Sequence, residues 1–233
     1  MANKNQMESI ETVDALSKSE AFFIQNKKAI IIAVVALFVI IAGFFLYKSF
    51  VSTPRENKAS TELGKGQELF NMEQFDKALN GDSTNYAGFV KIAADYSGTK
   101  AGNLANLYAG LCYANLNKWV EAQKYLDEYK SGDDALVSPA AMAALGNAYA
   151  HNKDFDKAVS TLKKAANMAD SEAAEGVNNS ISPIFLLQAA GLLENQGKKE
   201  EALTIYKDIK SKYVNAAVVV NSEIDKYIER VSQ

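Results

Sequence analysis

Hydrophobic and polar positions divide this chain into two regimes. From Ala29 to Tyr47 nineteen consecutive residues, AIIIAVVALFVIIAGFFLY, carry no charge and are apolar on every face of a helix. Beyond about residue 61 the apolar positions instead recur every three to four residues, the period of helices that bury one face. The first regime predicts a helix of roughly 28 Å, matched to the ~30 Å hydrocarbon core of a bilayer. A buried core helix of that length would carry a polar stripe, and a cleaved signal would need a shorter apolar run and a small-x-small cut site, where this chain continues Phe-Phe-Leu-Tyr-Lys-Ser-Phe. A lipid anchor needs a cysteine near the membrane, and Cys112 lies far downstream. The expectation is a retained anchor at 29–47.

Ahead of it lies a polar head, 1–28, in which residues 1–16 fit a weak amphipathic helix or disorder equally. Ser17 with Glu20 has the form of a capping box, opening one helix from about 19 to about 50. Ser52-Thr53-Pro54 is expected to break that helix and begin a polar tether, 48–60. Lys27 and Lys28 before the run are balanced by Lys48, Arg55 and Lys58 after it, so the flanking charges do not orient the span.

The second regime, 61–233, is self-similar. A small residue, Tyr or Leu three later, an aromatic nine later and Ala twelve later occur as Gly66-Leu69-Phe75-Ala78, Gly110-Tyr113-Trp119-Ala122 and Gly146-Tyr149-Phe155-Ala158, with Ala190-Leu193-Lys199-Ala202 as a fourth frame that lacks the aromatic. Each frame reads as a helix, a turn and an antiparallel second helix, with turns at Asn117-Lys118, Asn152-Lys153-Asp154 and Gln196-Gly197-Lys198. Gly110 or Gly146 against Ala122 or Ala158 lets two helices cross closely, while Tyr113, Trp119, Tyr149 and Phe155 fill the space beside the contact. The first frame breaks near Asn80-Gly81-Asp82-Ser83, and 170–182 reads as an inserted loop. A last helix, about 216–231, carries Val220, Ile224, Tyr227, Ile228 and Val231 on one face, as a cap should.

These frames resemble the tetratricopeptide repeat, whose 34-residue period places a small residue, Tyr, an aromatic and Ala at the same spacings, and Asn117 to Ala122 resembles its inter-helix turn. The periods here are longer, which implies insertions between repeats. The resemblance implies an all-α chain: one N-terminal transmembrane helix, then an α-solenoid of about four helix pairs with a C-terminal capping helix. Head, single anchor and four repeats together are similar to the YfgM-type proteins, ancillary subunits of the bacterial Sec translocon. Ala78 to Asp82 with Gly98 to Asn103 resembles the variant of Bacteroidetes-type members. That resemblance implies an inner-membrane, single-pass protein with a cytoplasmic head and a periplasmic domain, and a chaperone-like adaptor whose partners are translocon subunits, periplasmic chaperones or secreted clients.

Composition changes little in this picture. Lys and Arg number 25 against 28 Asp and Glu, net -3, which offers no basic footprint for nucleic acid. One cysteine excludes an internal disulfide and a thiolate cluster. The single histidine, His151, lacks a nucleophile motif and reads as a solvated or capping residue, Cys112 as a small core residue, and Glu200-Glu201 and Asp133-Asp134 as surface charge. Gly64-x-Gly66 lacks the strand and third glycine of a dinucleotide loop, and Asn178-Asn179-Ser180 is a glycosylation sequon in form only. The expectation is no enzyme, no cofactor, no metal and no small-molecule substrate. The remaining candidate is a groove lined by the first helix of each repeat, at the positions that bind ligands in tetratricopeptide arrays: Leu104, Leu111, Asn115, Ala143, Asn147, His151, Ile184, Glu194 and Asn195. Leu107 and Leu187 fit that groove or helix packing equally. Those helices read as free of Lys and Arg, so the groove is expected to be neutral and to hydrogen-bond a peptide backbone through Asn. The alternative function is a scaffold subunit of a membrane or cell-division complex without client binding.

Overall fold

The computed structural model describes the backbone of residues 2–82 and 85–233 and the side chains of 22–82 and 85–233. The chain is all-helical, with no strand among the described residues, and forms two compact units, Met1–Pro54 and Arg55–Gln233.

The first unit is helix α1 (Ala2–Tyr47) followed by a π-helical turn, Lys48–Ser52. It holds the one helix among the described residues that is long and apolar enough to cross a membrane, and no residue of its apolar window is buried. Because α1 begins at Ala2, Ser17 and Glu20 do not open a helix; their side chains lie outside the described residues. The expected break at Pro54 is also absent, since α2 (Thr53–Asn71) follows directly. In an α register Pro54 would leave a carbonyl unpaired and crowd the one four residues back. The π turn removes the conflict by widening the helix, with the Thr53 N–H donating to Lys48 O five residues back. Part of the expected tether, 53–60, is therefore helix, and Ala59 within it is buried.

The second unit continues with α3 (Phe75–Asn80), α4 (Phe89–Asp95), α5 (Lys100–Asn115), α6 (Trp119–Glu128), α7 (Val137–His151), α8 (Phe155–Ser171), α9 (Ser182–Asn195), α10 (Lys199–Lys212), α11 (Ala217–Val220) and α12 (Glu223–Ser232). Four turns of one design join α2 to α3, α5 to α6, α7 to α8 and α9 to α10. In each, one residue adopts positive φ: Glu73 (58°), Asn117 (58°), Lys153 (65°) and Gly197 (75°). The next N–H reaches back to a carbonyl of the preceding helix, Gln74 to Leu69, Lys118 to Tyr113, Asp154 to Tyr149 and Lys198 to Leu193, each at 2.9 Å. These are the six-to-one bonds that close a helix through a left-handed residue. The chain thus reverses four times in the same way.

The close crossings expected between paired helices are present. A Cβ on Gly110 would lie 2.6 Å from Leu126 Cγ and 3.2 Å from Ala122 O, and one on Gly146 2.8 Å from Leu162 Cγ. Of the aromatics set beside them, Tyr113 stacks on Tyr125 and Trp119 on His151, but Phe155 is 38% exposed. The first repeat departs from the pattern because its second helix stops at Asn80. The insertion supplies the missing bulk: Tyr86 and Phe89 pack on Gly66, where a Cβ would meet the Tyr86 hydroxyl at 2.1 Å, and that hydroxyl donates to Ala78 O at 2.8 Å. Ser83 lies outside the described residues.

The second insertion is organised by a carboxylate rather than by apolar packing. Asp170, buried near the end of α8, accepts hydrogen bonds from Asn178 N (2.8 Å), Tyr213 Oη (2.7 Å) and Lys212 Nζ (2.6 Å), with Ser182 Oγ at 2.7 Å. The expected single last helix is two pieces, because Ser222 takes a left-handed conformation between α11 and α12. Ile224 and Val231 of α12 are buried, while Val220, on α11, is exposed.

Candidate interaction face

The first helices of consecutive repeats, α5, α7 and α9, present equivalent positions 36 and then 44 residues apart, and burial sorts these positions into rows. Residues Leu104, Ala140 and Ile184 are half-buried or exposed. Leu111, Asn147 and Gly191 are all half-buried, and Asn115, His151 and Asn195, each the last residue of its helix, are all exposed. The row Leu107, Ala143 and Leu187 turns inward, with Leu107 and Ala143 buried and Leu187 packed against the core. Spaced three and four residues apart, the rows share one face of each helix, and burial varies along that face.

Six of the expected groove residues fall on the open rows: Leu104, Leu111, Asn115, Asn147, Ile184 and Asn195. Leu104 and Leu111 keep their inner edges on the apolar clusters. The Asn115 amide donates to Leu111 O at 2.9 Å, which leaves its oxygen for a partner. The side-chain amides of Asn147 and Asn195 make no hydrogen bond with other described residues, so each can offer both a donor and an acceptor. His151 is also in an open row but lies flat on the Trp119 ring, centroids 3.6 Å apart and planes 1° from parallel. It presents a ring edge.

Two of the nine sit elsewhere. Ala143 is 4% exposed within the core formed with Val159 and Leu162. Glu194 belongs to a different row and is already engaged: Arg230 donates to it at 2.7 and 3.0 Å, and the Tyr206 hydroxyl donates to it as well. The hydrogen bonds from Arg230, reinforced by Tyr206, hold the Glu194 carboxyl below its usual range against the opposing effect of burial. Its role is to fasten the closing helix α12 to α9. In its place the open rows gain Gly191, which the 36- and 44-residue spacings identify once the register is known, while Ala140, expected on the groove, does lie on an open row.

The face is neutral over these rows. Lys100 does lie in α5, contrary to the expectation of helices without a cation, but it is the exposed first residue, one turn ahead of Leu104. Ile184 and Asn195 are eleven residues apart on α9, about 16 Å of helix, so the rows form a strip and not a point site. Two open clefts elsewhere on this unit, about 490 Å³ beside Thr61 and Ile92 and about 460 Å³ between Asn167 and Asp208, contain none of the open-row residues.

Two further titratable groups on this unit serve its structure. The Cys112 thiol is buried and pushed up to about 12 by that burial. Asp134 caps α7: burial opposes ionisation, but bonds from the Ser138 hydroxyl and the N–H groups of 136–138 hold its carboxyl low. Among the described residues no group of three His, Cys, Asp or Glu is placed to hold a metal ion.

Comparison with known families agrees with the geometry. A family model described as a tetratricopeptide repeat-like domain matches residues 20–176, and one described as a tetratricopeptide repeat matches residues 185–216. No curated protein matches the chain.

Proposed function

This chain belongs to the tetratricopeptide repeat-like domain family, a non-catalytic protein-interaction fold, and we propose that it is a membrane-anchored protein-binding module serving secreted or membrane protein clients at or near a secretion channel. The observation that carries the reading is the strip of open positions on α5, α7 and α9. An uncharged surface of small and aliphatic side chains with two unengaged amides suits an extended backbone of unspecialised sequence. A cluster of cations, which would select acidic tails, is absent from those rows. The apolar run 29–47 supports the anchor, and the resemblance to YfgM-type proteins supports a periplasmic domain at the inner membrane.

Photo-crosslinking residues at Asn147 and Asn195, introduced into the full chain in intact cells, test this. Capture of translocon subunits or of many secreted clients in small amounts is the expected result. Capture of cytosolic proteins only would overturn it, and capture of a few stoichiometric partners would favour the scaffold function.

A further inference from the structure

The repeat unit has two ends, and its hydrogen bonds identify them. One end carries the four closed turns at Glu73, Asn117, Lys153 and Gly197. The other gathers the starts of the first helices and the ends of the second ones, joined by a series of polar clasps. Glu56 of α2 accepts from the N–H groups of Lys100 and Ala101, which begin α5. Asn103 of α5 exchanges two hydrogen bonds, each 2.8 Å, with the Lys130 backbone beyond α6. Ser138 of α7 accepts from Gly132 N, and Asp170 joins the end of α8 to the start of α9 and the end of α10. Asn179 then accepts from Asn215 N, which places the loop before α9 beside the loop after α10.

The chain enters the repeat unit at this clasped end. Arg55, the first residue of the unit, donates to the carbonyls of Asp95 and Ser97 just ahead of α5. The same end carries five exposed aliphatic side chains: Leu136 (61%), Val137 (47%), Ile184 (49%), Val214 (58%) and Val220 (66%). Each is in a short helix, in the first turn of a longer one or in a loop beside one. Cations are not in excess among them: Lys212 pairs with Asp170 and Lys210 with Asp225, and the exposed Lys100 and Lys130 stand with Asp133, Glu172 and Glu175.

We propose that this aliphatic rim docks on the lipid bilayer, its side chains entering the boundary between headgroups and acyl chains. The inference rests on the anchor reading of residues 29–47. Its occupant follows from covalent connection: Tyr47, the last residue of the apolar run, precedes Arg55 by eight residues, at most about 28 Å of chain. A tethered surface sees its target at an effective concentration in the millimolar range, so shallow insertion of a few aliphatic tips is enough to hold it. With no surplus of cations at this end, the contact is apolar and draws nothing from anionic lipid. Docking of this end leaves the turn end, with Val120 beside its Asn117 turn, in water.

The test uses the full chain reconstituted in phosphatidylcholine vesicles, with an environment-sensitive fluorophore on a single cysteine at Leu136→Cys, Ile184→Cys, Val120→Cys or Phe38→Cys and spin-labelled lipids as quenchers. The native Cys112 is buried and escapes labelling. Labels at 136 and 184 should be blue-shifted and quenched by shallow spin labels at least about twofold more than the label at 120, in low and high salt alike. Quenching at 38 with 136 and 184 no different from 120 overturns the rim while leaving the anchor intact. No quenching at 38 overturns the anchor reading, and the rim with it.

Discussion

Gly146 and Gly191 form a matched pair of helical glycines whose replacement by alanine should have opposite effects. Alanine in place of glycine stabilises a helix interior by about 1 kcal/mol. At Gly191, on an open row of α9, an added Cβ meets no atom within 4 Å, so Gly191→Ala should gain most of that. At Gly146 the same atom would lie 2.8 Å from Leu162 Cγ, 3.2 Å from its Cδ2 and 3.3 Å from its backbone nitrogen. Leu162 is fully buried, and its Cγ is a branch point that cannot swing aside without moving the rest of the side chain. Overpacking of this kind costs about 1 to 3 kcal/mol, so Gly146→Ala should be neutral to destabilising by up to about 2 kcal/mol. Gly146→Leu, with three further carbons, should lose more. Thermal unfolding of the full chain in detergent, followed by circular dichroism, resolves the difference, since 1 kcal/mol moves the midpoint of a chain this size by about 2 to 4 °C. If Gly146→Ala raised the midpoint as much as Gly191→Ala, the close crossing of α7 and α8 would be wrong.

The closed turns give an ordered set of expectations by the same assay. Glu73→Gly and Lys153→Gly should each stabilise by about 0.5 to 1 kcal/mol by relieving left-handed backbone, Asn117→Gly by less because asparagine tolerates that conformation, and Gly197→Ala should destabilise by about 1 kcal/mol; equal effects at all four would refute it. Asp170→Ala should cost about 2 to 4 kcal/mol, because Tyr213 and Ser182 lose an acceptor in a buried setting while Lys212, half in water, loses less. Burial alone would raise the Asp170 carboxyl, but the bonds from Asn178, Lys212, Ser182 and Tyr213 together lower it. Its contribution is therefore full above the unfolded-state value of about 4 and is lost as pH falls below it toward the lower folded value. Denaturant midpoints measured across that interval should fall more steeply for the natural chain than for Asp170→Asn, and parallel curves would remove Asp170 as a source of acid sensitivity.

Much of the repeat architecture was legible because it is made by local rules. Small residues at crossings, alanines opposite them and a reversing turn every repeat leave marks at fixed spacings, and these placed the helix pairs from Gly66 to Ala202. What was not legible depends on partners distant in sequence. Nothing marks Glu194 as engaged until Arg230 arrives from α12, 36 residues on. Asp170 looked like an ordinary loop residue for the same reason. Glu73 carries no turn signal of its own, since glutamate is an unlikely left-handed residue and takes that conformation because the turn is closed on both sides. Pro54 misled in the other direction, because a π turn can absorb a proline that an α helix cannot. On the interaction face the spacing gave the rows, but only burial separated Ala143, which is inside, from Ala140, three residues away and outside.

The Asp170 cluster also bears on the order in which the chain acquires structure. Each helix pair closes through contacts only a few tens of residues apart, so pairs can form early and in succession as the chain is made or delivered. The third pair, like the first with its Glu56 bonds to the start of α5, is also tied further along the chain. Its last turn is pinned by Lys212 and Tyr213, 42 and 43 residues beyond Asp170. Until α10 is in place, Asp170 lacks the bonds from Lys212 and Tyr213 and keeps those from Asn178 and Ser182. A chain stopped before residue 213 should therefore hold the 170–182 segment less firmly, and expose it to proteases more, than the full chain does.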